Sequence, residues 1–280
     1  TSTSTSTVTV NKSLPIANAG SSATITCLTT SASIGTTTIS GYSYSWSPSV
    51  GLSATTISNP IATPTTTTIY TVTVTGANGC TATSTVTVNV NTTPPTANSG
   101  GNKTITCLVP TAILGAATVS GYTYTWTPSA GLSATNIAQP IANPLATTTY
   151  TVSVTGANGC TATSVATVTV DKDAPIANAG TSGTITCTTT SLTLGTSATP
   201  GYTYAWSPST ALSSTTSPNP IANPIAAITY TVTVTGANGC TATSTVTVNV
   251  NTAPPIANAG GNKTINCTVP SAIIGSPNVA

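Results

Sequence analysis

The chain repeats itself with a fixed period of 80 residues, and no other feature of the sequence limits its fold so strongly. The run Pro-Ile-Ala-Asn-Ala-Gly at residues 15–20 has counterparts that begin at Pro95, Pro175 and Pro255. A fixed period indicates a repeat architecture before any local pattern is considered. Eighty residues is too long for one coil of a solenoid and suits a small β-sandwich that folds as its own unit.

The same period sets the expected domain boundaries. Three complete units span residues 13–92, 93–172 and 173–252. Residues 1–12 correspond to the last strand of a truncated unit, and residues 253–280 correspond to the first strands of another. The linker between the first two complete units, Asn-Thr-Thr-Pro-Pro at residues 91–95, is short and is stiffened by its two prolines.

Each unit carries the two-residue alternation of half-buried strands. In the first unit, residues 70–75 and 84–90 alternate between apolar side chains and Thr, Ser or Asn. Asn78-Gly79 lies between these runs and predicts a hairpin closed by a primed turn. Residues 41–46 alternate as well and place Tyr42, Tyr44 and Trp46 on one face.

The rest of the unit also favours short strands. Residues 23–27 and 31–35 are expected to form a pair of strands, and no window has helical spacing. Pro48, Pro60 and Pro64 limit the middle of the unit to short edge pieces, because proline cannot donate to a sheet ladder. The predicted fold class is therefore all-β, with tandem immunoglobulin-like β-sandwich domains of six or seven strands stacked end to end.

Charged side chains make up only 2 % of the chain, with four Lys, two Asp and no His. General acid–base and metal catalysis use mainly His, Asp, Glu, Lys and Cys, so we expect no enzyme activity, no cofactor and no metal. Asp171 and Asp173 flank Lys172 in one linker and are interpreted as solvated residues rather than calcium ligands. A net charge of +2 over the whole chain is too small to neutralise a row of phosphates, so we expect no binding to nucleic acid.

Hydrophobic residues make up 38 % of the chain, which distinguishes it from a disordered low-complexity segment. No apolar run approaches the length of about 18 residues that a membrane span requires. Trp46, Trp126 and Trp206 fall in mid-strand at the same step of the repeat and are expected in the core.

Seven cysteines recur regularly, two to a unit, at Cys27, Cys80, Cys107, Cys160, Cys187, Cys240 and Cys267. Regular pairs in a chain of this composition indicate disulfides and an oxidising compartment. Metal ligation is the poorer interpretation because neither His nor a Cys-x-x-Cys motif accompanies them.

The order of strands in such a sandwich predicts which cysteines pair. The first strand ends where the chain leaves the domain, whereas the last hairpin lies at the opposite end, so Cys27 and Cys80 would be roughly 25 to 35 Å apart. A disulfide needs Cα atoms within about 7 Å. We therefore predict disulfides between neighbouring units, Cys27 with Cys160 and Cys107 with Cys240. Pairing within a unit, Cys27 with Cys80, is the alternative.

The three remaining cysteines, Cys80, Cys187 and Cys267, are then expected to pair with units outside this segment.

Three motifs give the chain a resemblance to a known family. They are Ala-Asn-Ala-Gly at residues 17–20, Tyr-Ser-Trp at residues 44–46, and Tyr-Thr-Val-Thr-Val-Thr-Gly-Ala-Asn-Gly-Cys at residues 70–80. In these motifs the chain resembles the PKD-like repeats of large bacterial surface adhesins, especially gliding and type IX secreted proteins of the Bacteroidetes. The resemblance implies an extracellular array that holds a binding tip away from the cell or forms a filament shaft.

The sequence thus predicts a structural segment of an extracellular repeat protein, a disulfide-stapled stalk or filament shaft that supports cell adhesion. Its expected partners are neighbouring repeats of the same chain. One alternative is a module that binds a glycan or surface polysaccharide through the loop at residues 49–58. Another is a filament subunit that associates laterally into fibres.

Overall fold

The computed structural model describes residues 2–254, 256–257 and 259–275. Regular structure in these residues is entirely β, without a helix, and six strands recur in each complete repeat. We call residues 13–92, 93–172 and 173–252 repeats 1, 2 and 3; their limits as domains stay a prediction. The predicted first strands of a further unit at residues 253–280 lie partly outside the described residues, and those described contain one isolated bridge, Asn266 to Val269.

The strands have the same lengths in the three repeats. Repeat 1 contains β1 Ala23–Thr26, β2 Ala32–Ser33, β3 Ser43–Ser47, β4 Ile61–Ala62, β5 Thr68–Thr75 and β6 Thr81–Asn91. Repeat 2 contains β7 Lys103–Thr106, β8 Ala112–Ile113, β9 Thr123–Thr127, β10 Ile141–Ala142, β11 Thr148–Thr155 and β12 Thr161–Asp171. Repeat 3 contains β13 Gly183–Thr186, β14 Leu192–Thr193, β15 Thr203–Ser207, β16 Ile221–Ala222, β17 Ile228–Thr235 and β18 Thr241–Asn251.

Each repeat has one four-stranded and one two-stranded sheet. In repeat 1 the orders are β1-β6-β5-β3 and β2-β4. Neighbouring strands are antiparallel except β1, which runs parallel to β6. Ala32 and Ala62 of the small sheet share one buried core with Val72 and Val88 of the large sheet. The predicted fold class, all-β with tandem immunoglobulin-like sandwiches, is confirmed.

The chain divides into two compact units. Unit 1 consists of residues 1–105 and 109–170 and contains the cores of repeats 1 and 2. Unit 2 consists of residues 106–108 and 171–280 and contains the core of repeat 3.

The alternating runs form the strands that their pattern predicts. Tyr70, Val72 and Val74 of β5 are each no more than 1 % exposed, whereas the Thr side chains between them point away from the core. Pro60 and Pro64 flank the two-residue strand β4, as expected for residues that interrupt a ladder.

One predicted pairing is wrong. Residues 23–27 and 31–35 contain strands β1 and β2, but these strands belong to different sheets: β1 pairs with β6, and β2 pairs with β4. The physical reason is a turn at the end of β1, in which the Thr26 amide donates to the Thr29 carbonyl at 2.9 Å. This turn redirects the chain from the large sheet towards the small one.

Candidate functional site: the crosslinked joints

The parallel pairing of β1 with β6 determines where the first cysteine of a repeat lies. Thr26, the last residue of β1, is paired with Asn91, the last residue of β6. Cys27 and the linker that follows Asn91 therefore leave repeat 1 at the same end, which we call its downstream end. The opposite end, where the chain enters a repeat, is the upstream end.

The hairpin between β5 and β6 lies at the upstream end of repeat 1. The amide nitrogen Nδ2 of Asn78 donates to the carbonyl oxygens of Asn11 and Ser13, at 3.3 and 2.9 Å, in the segment that enters the repeat. The Cys80 amide donates to Oδ1 of Asn78 at 3.1 Å. One asparagine thus orders both the hairpin cysteine and the incoming chain.

The predicted primed turn at this hairpin is wrong. Only Gly79 in the loop has a positive φ, +77°, and Asn78 does not. The Gly79 amide donates to the Gly76 carbonyl, and the Gly76 amide to the Cys80 carbonyl, each at 2.9 Å. This is a three-residue loop in which a type I turn is followed by a left-handed glycine. The bonds of the Asn78 side chain favour this loop over the two-residue one.

In unit 1 the downstream end of repeat 1 is bonded to the hairpin of repeat 2. Cys27 and Cys160 form a disulfide with a Cα–Cα distance of 5.0 Å. The Cys27 amide donates to the Asn158 carbonyl at 3.2 Å. The Leu28 side chain lies directly over Gly159, where a β-carbon would collide with it. Cys160 is only 2 % exposed, whereas Cys27 and Leu28 are exposed, so this disulfide lies at the edge of the contact between the two repeats.

Asn158 also ties this hairpin to the linker that connects the two repeats. Its Nδ2 donates to the carbonyl oxygens of Asn91 and Thr93, at 3.2 and 2.9 Å, and to Oδ1 of Asn91 at 3.1 Å. The joint in unit 1 is therefore held by a covalent bond, by main-chain and side-chain hydrogen bonds, and by the contact of Leu28.

Unit 2 contains the same arrangement. Cys107 and Cys240 form a disulfide with a Cα–Cα distance of 5.1 Å, and the Cys107 amide donates to the Asn238 carbonyl at 3.2 Å. Leu108 lies over Gly239 as Leu28 lies over Gly159. The two disulfides are the pairs that the strand order predicts.

The acidic linker residues take part in the joint of unit 2. Nδ2 of Asn238 donates to Oδ1 of Asp171 and to the Asp173 carbonyl, each at 2.9 Å. Asp171 therefore replaces the Asn91 amide as a hydrogen-bond acceptor. Among the described residues, no group of three or more His, Cys, Asp or Glu side chains could hold a metal ion.

The other three cysteines are free thiols in the structure. Cys187 and Cys267 are exposed, and Cys80 is half-buried. Sγ of Cys187 lies 3.6 Å from the Thr252 carbonyl, much as Sγ of Cys27 lies 4.0 Å from the Thr92 carbonyl. The pairing of these thiols with further units stays a prediction.

The three tryptophans lie in the cores of their repeats. Trp46, Trp126 and Trp206 are 3, 1 and 4 % exposed. Nε1 of Trp46 donates to the Ile57 carbonyl at 2.8 Å, and the ring lies against Gly35, whose φ is +82° and whose surroundings leave no space for a β-carbon. The tryptophan thus anchors the loop at residues 49–58 to the core.

Sequence reasoning missed the residues that surround each disulfide. Asn158 and Asn238 precede the hairpin glycine, and Leu28 and Leu108 follow the downstream cysteine. Their recurrence at intervals of 80 residues beside a cysteine was the available signal. It does not distinguish a contact across a joint from an ordinary turn residue.

Comparisons with known proteins give only distant structural likeness. No protein-family model and no curated protein sequence matches the chain. A protocadherin gammaB7 EC3-6 cis-dimer structure is similar at 12 % identity and a TM-score of 0.37, over 85 % of this chain and 73 % of that one. Immunoglobulin domains 1–5 of Sidekick-1 give 13 % identity and a TM-score of 0.36, over 83 % and 57 % of the two chains. Mouse cadherin-23 EC22-24 gives 11 % and 0.36, over 76 % and 87 %.

These superpositions are loose, and the assignment of the fold depends on the strand order described above. In the part of the chain that the structure describes, no helix is long and apolar enough to cross a membrane.

Proposed function

We propose that this chain is a structural segment of an extracellular repeat protein, a disulfide-stapled stalk or filament shaft that supports cell adhesion. The observation that carries the proposal is that both disulfides connect one repeat to the next, Cys27 to Cys160 and Cys107 to Cys240. A disulfide within a domain stabilises that domain, whereas one between domains restricts their relative motion. The second effect is what a load-bearing shaft requires.

The surroundings of the disulfides support the same role. Short linkers alone leave neighbouring domains free to bend, because interfaces within a chain are usually small and polar. Here the linker carbonyls of Asn91 and Thr93 also accept hydrogen bonds from Asn158, and the Leu28 side chain lies against Gly159. A joint of this kind resists bending as well as separation.

Chemistry and composition support a place outside the cell. Disulfides persist mainly in oxidising compartments. Charged residues make up 2 % of the chain, so its outer surface has little electrostatic self-repulsion. Together with the PKD-like motifs, these features favour a surface adhesin of the Bacteroidetes type, whose shafts could also lie side by side.

Electron microscopy and small-angle X-ray scattering of the 280-residue chain, oxidised and reduced, test the proposal. We expect the oxidised chain to have a narrow distribution of shapes, and reduction to broaden that distribution. The C27S/C160S variant should show greater freedom at the joint in unit 1 than the oxidised parent. Oxidised chains that bend as freely as reduced ones would contradict a stalk.

The alternative, a module that binds a glycan through residues 49–58, is tested on the same protein. Polysaccharide arrays probed with the oxidised chain should give no signal above that of a variant in which the exposed Val50 is replaced by Ser. Saturable binding that V50S abolishes would favour the binding module over the stalk.

A further inference from the structure

The cysteines divide the chain into segments of regular length. From each hairpin cysteine to the downstream cysteine of the following repeat there are 27 residue steps, as from Cys80 to Cys107 and from Cys160 to Cys187. Each such segment contains the last strand of one repeat, the linker and the first strand of the next. Each disulfide then connects residues 133 apart in sequence.

We infer that the disulfides join these segments into two covalent threads that alternate along the chain. The first thread runs to Cys27, crosses to Cys160 and continues to Cys187. The second thread runs from Cys80 to Cys107, crosses to Cys240 and continues to Cys267. Residues 28–79, 108–159 and 188–239 connect the two threads as side branches and include the Trp strands and most of the core.

The sheet topology pairs the two threads strand by strand. In repeat 1, β1 belongs to the first thread and β6 to the second, and they are hydrogen-bonded in parallel over four residue pairs. In repeat 3 the same pairing joins β13 of the first thread to β18 of the second. In repeat 2 the threads exchange places, because β7 of the second thread neighbours β12 of the first. Each repeat therefore contains one strand of each thread, side by side.

In this arrangement, the distance to which a thread can be stretched does not depend on whether the side branches are folded. Tension between two points on one thread passes through its strands, linkers and disulfides. A side branch can then unfold without lengthening that route, because it connects one thread to the other and does not lie on the route between two points of the same thread. That this limits extension under natural load depends on the stalk proposed above, whereas the routes themselves can be measured whether or not the protein is a stalk.

Single-molecule force spectroscopy measures these routes. One handle is attached at the N-terminus and the other at residue 190, an exposed position, through a bioorthogonal amino acid. Cys80, Cys187 and Cys267 are replaced by Ser so that no free thiol exchanges.

With the Cys27–Cys160 bond intact, the shortest route has 26 steps from residue 1 to residue 27 and 30 from residue 160 to residue 190, 56 in all. Its fully stretched length is about 200 Å at about 3.5 Å per residue. After reduction the route has 189 steps and a length of about 660 Å.

Two variants provide matched tests. In C27S/C160S the shortest route has 106 steps to residue 107 and 50 from residue 240 back to residue 190, 156 in all. We therefore expect its stretched length to be nearly threefold that of the oxidised parent. In C107S/C240S the shortest route is unchanged, and the length should equal that of the parent.

If the C107S/C240S variant also lengthens, or if the oxidised parent extends as far as C27S/C160S, the threads do not exist. A chain that gives the expected lengths but bends freely in the scattering experiment would keep the threads and contradict the stalk.

Discussion

In each repeat, one buried tyrosine connects the core to the loop that follows the tryptophan strand. Tyr70, Tyr150 and Tyr230 are fully buried, and their hydroxyls donate to the carbonyls of residues 50, 130 and 210 at 2.7, 2.6 and 2.8 Å. Burial raises the pKa of each hydroxyl above its ordinary value of 10.0, because a phenolate is poorly solvated in the core. Hydrogen bonds with Thr68 and Thr148 act in the opposite direction on Tyr70 and Tyr150.

These tyrosines predict an alkaline loss of stability. Below pH 10 they are neutral in both states; above it the unfolded tyrosines ionise while the folded ones keep their protons, so the free energy of unfolding should fall as pH rises. Urea unfolding between pH 9 and 11 measures this slope. Y150F should lower stability at pH 9 by about 1 kcal/mol, because the Ala130 carbonyl loses its donor, and should make the slope shallower. V168A, a core variant without a titrating group, should lower stability and leave the slope unchanged.

At the scale of the element, the hairpin before the last strand has the same sequence in all three repeats, but its asparagine does not always have the same partner. Asn158 and Asn238 occupy equivalent turns in repeats 2 and 3. Nδ2 of Asn158 donates to the side-chain amide oxygen of Asn91, whereas Nδ2 of Asn238 donates to a carboxylate oxygen of Asp171. The pair N158D and N238D therefore introduces the same carboxylate into two different surroundings.

We expect N158D to lose about 1–3 kcal/mol of stability, because Asp cannot donate to the linker carbonyls. N238D should lose more, since its carboxylate also faces Asp171 across a former hydrogen bond of 2.9 Å. Urea unfolding at pH 7 compares the two, and 1 M salt should reduce the difference between them by screening the like charges. Equal losses at low salt would mean that Asp171 turns away into solvent.

The hairpins also mark the limit of what the sequence could predict. Alternation locates β5 and β6, and the order of strands leads to Cys160 as the partner of Cys27, because both follow from the backbone path. The turn type and the role of Asn158 could not be predicted in this way. They depend on hydrogen bonds between residues 65 to 67 apart in sequence, which no local pattern contains. The partner of β1 could not be predicted for the same reason, since β1 pairs with β6, whose residues lie 65 positions further along the chain, as Ala23 with Val88.

At the scale of the whole molecule, the near identity of the repeats creates a problem of selection. All three hairpins have the sequence Gly-Ala-Asn-Gly-Cys. The hairpin sequence therefore cannot explain why Cys27 bonds to Cys160 rather than to Cys80 or Cys240. The short linker at residues 91–95 supplies the discrimination by keeping the hairpin of repeat 2 close to the downstream end of repeat 1. The linker thus sets the effective concentration of Cys160 around Cys27.

A longer linker should therefore weaken the selection. Inserting about 20 Gly and Ser residues between Thr92 and Thr93 lowers the effective concentration of Cys160, which falls with roughly the −3/2 power of linker length. After oxidative refolding, non-reducing peptide mapping should find the Cys27–Cys160 peptide severalfold less abundant and mixed pairs with Cys80 and Cys240 more abundant. The same insertion between Ser197 and Ala198, in an exposed loop of repeat 3, leaves the linker intact and should not change the Cys27–Cys160 yield. If the linker insertion also leaves that yield unchanged, the contact surfaces around Leu28 and Asn158 select the partner without help from the tether, and Leu28→Ala should then produce the mixed pairs instead.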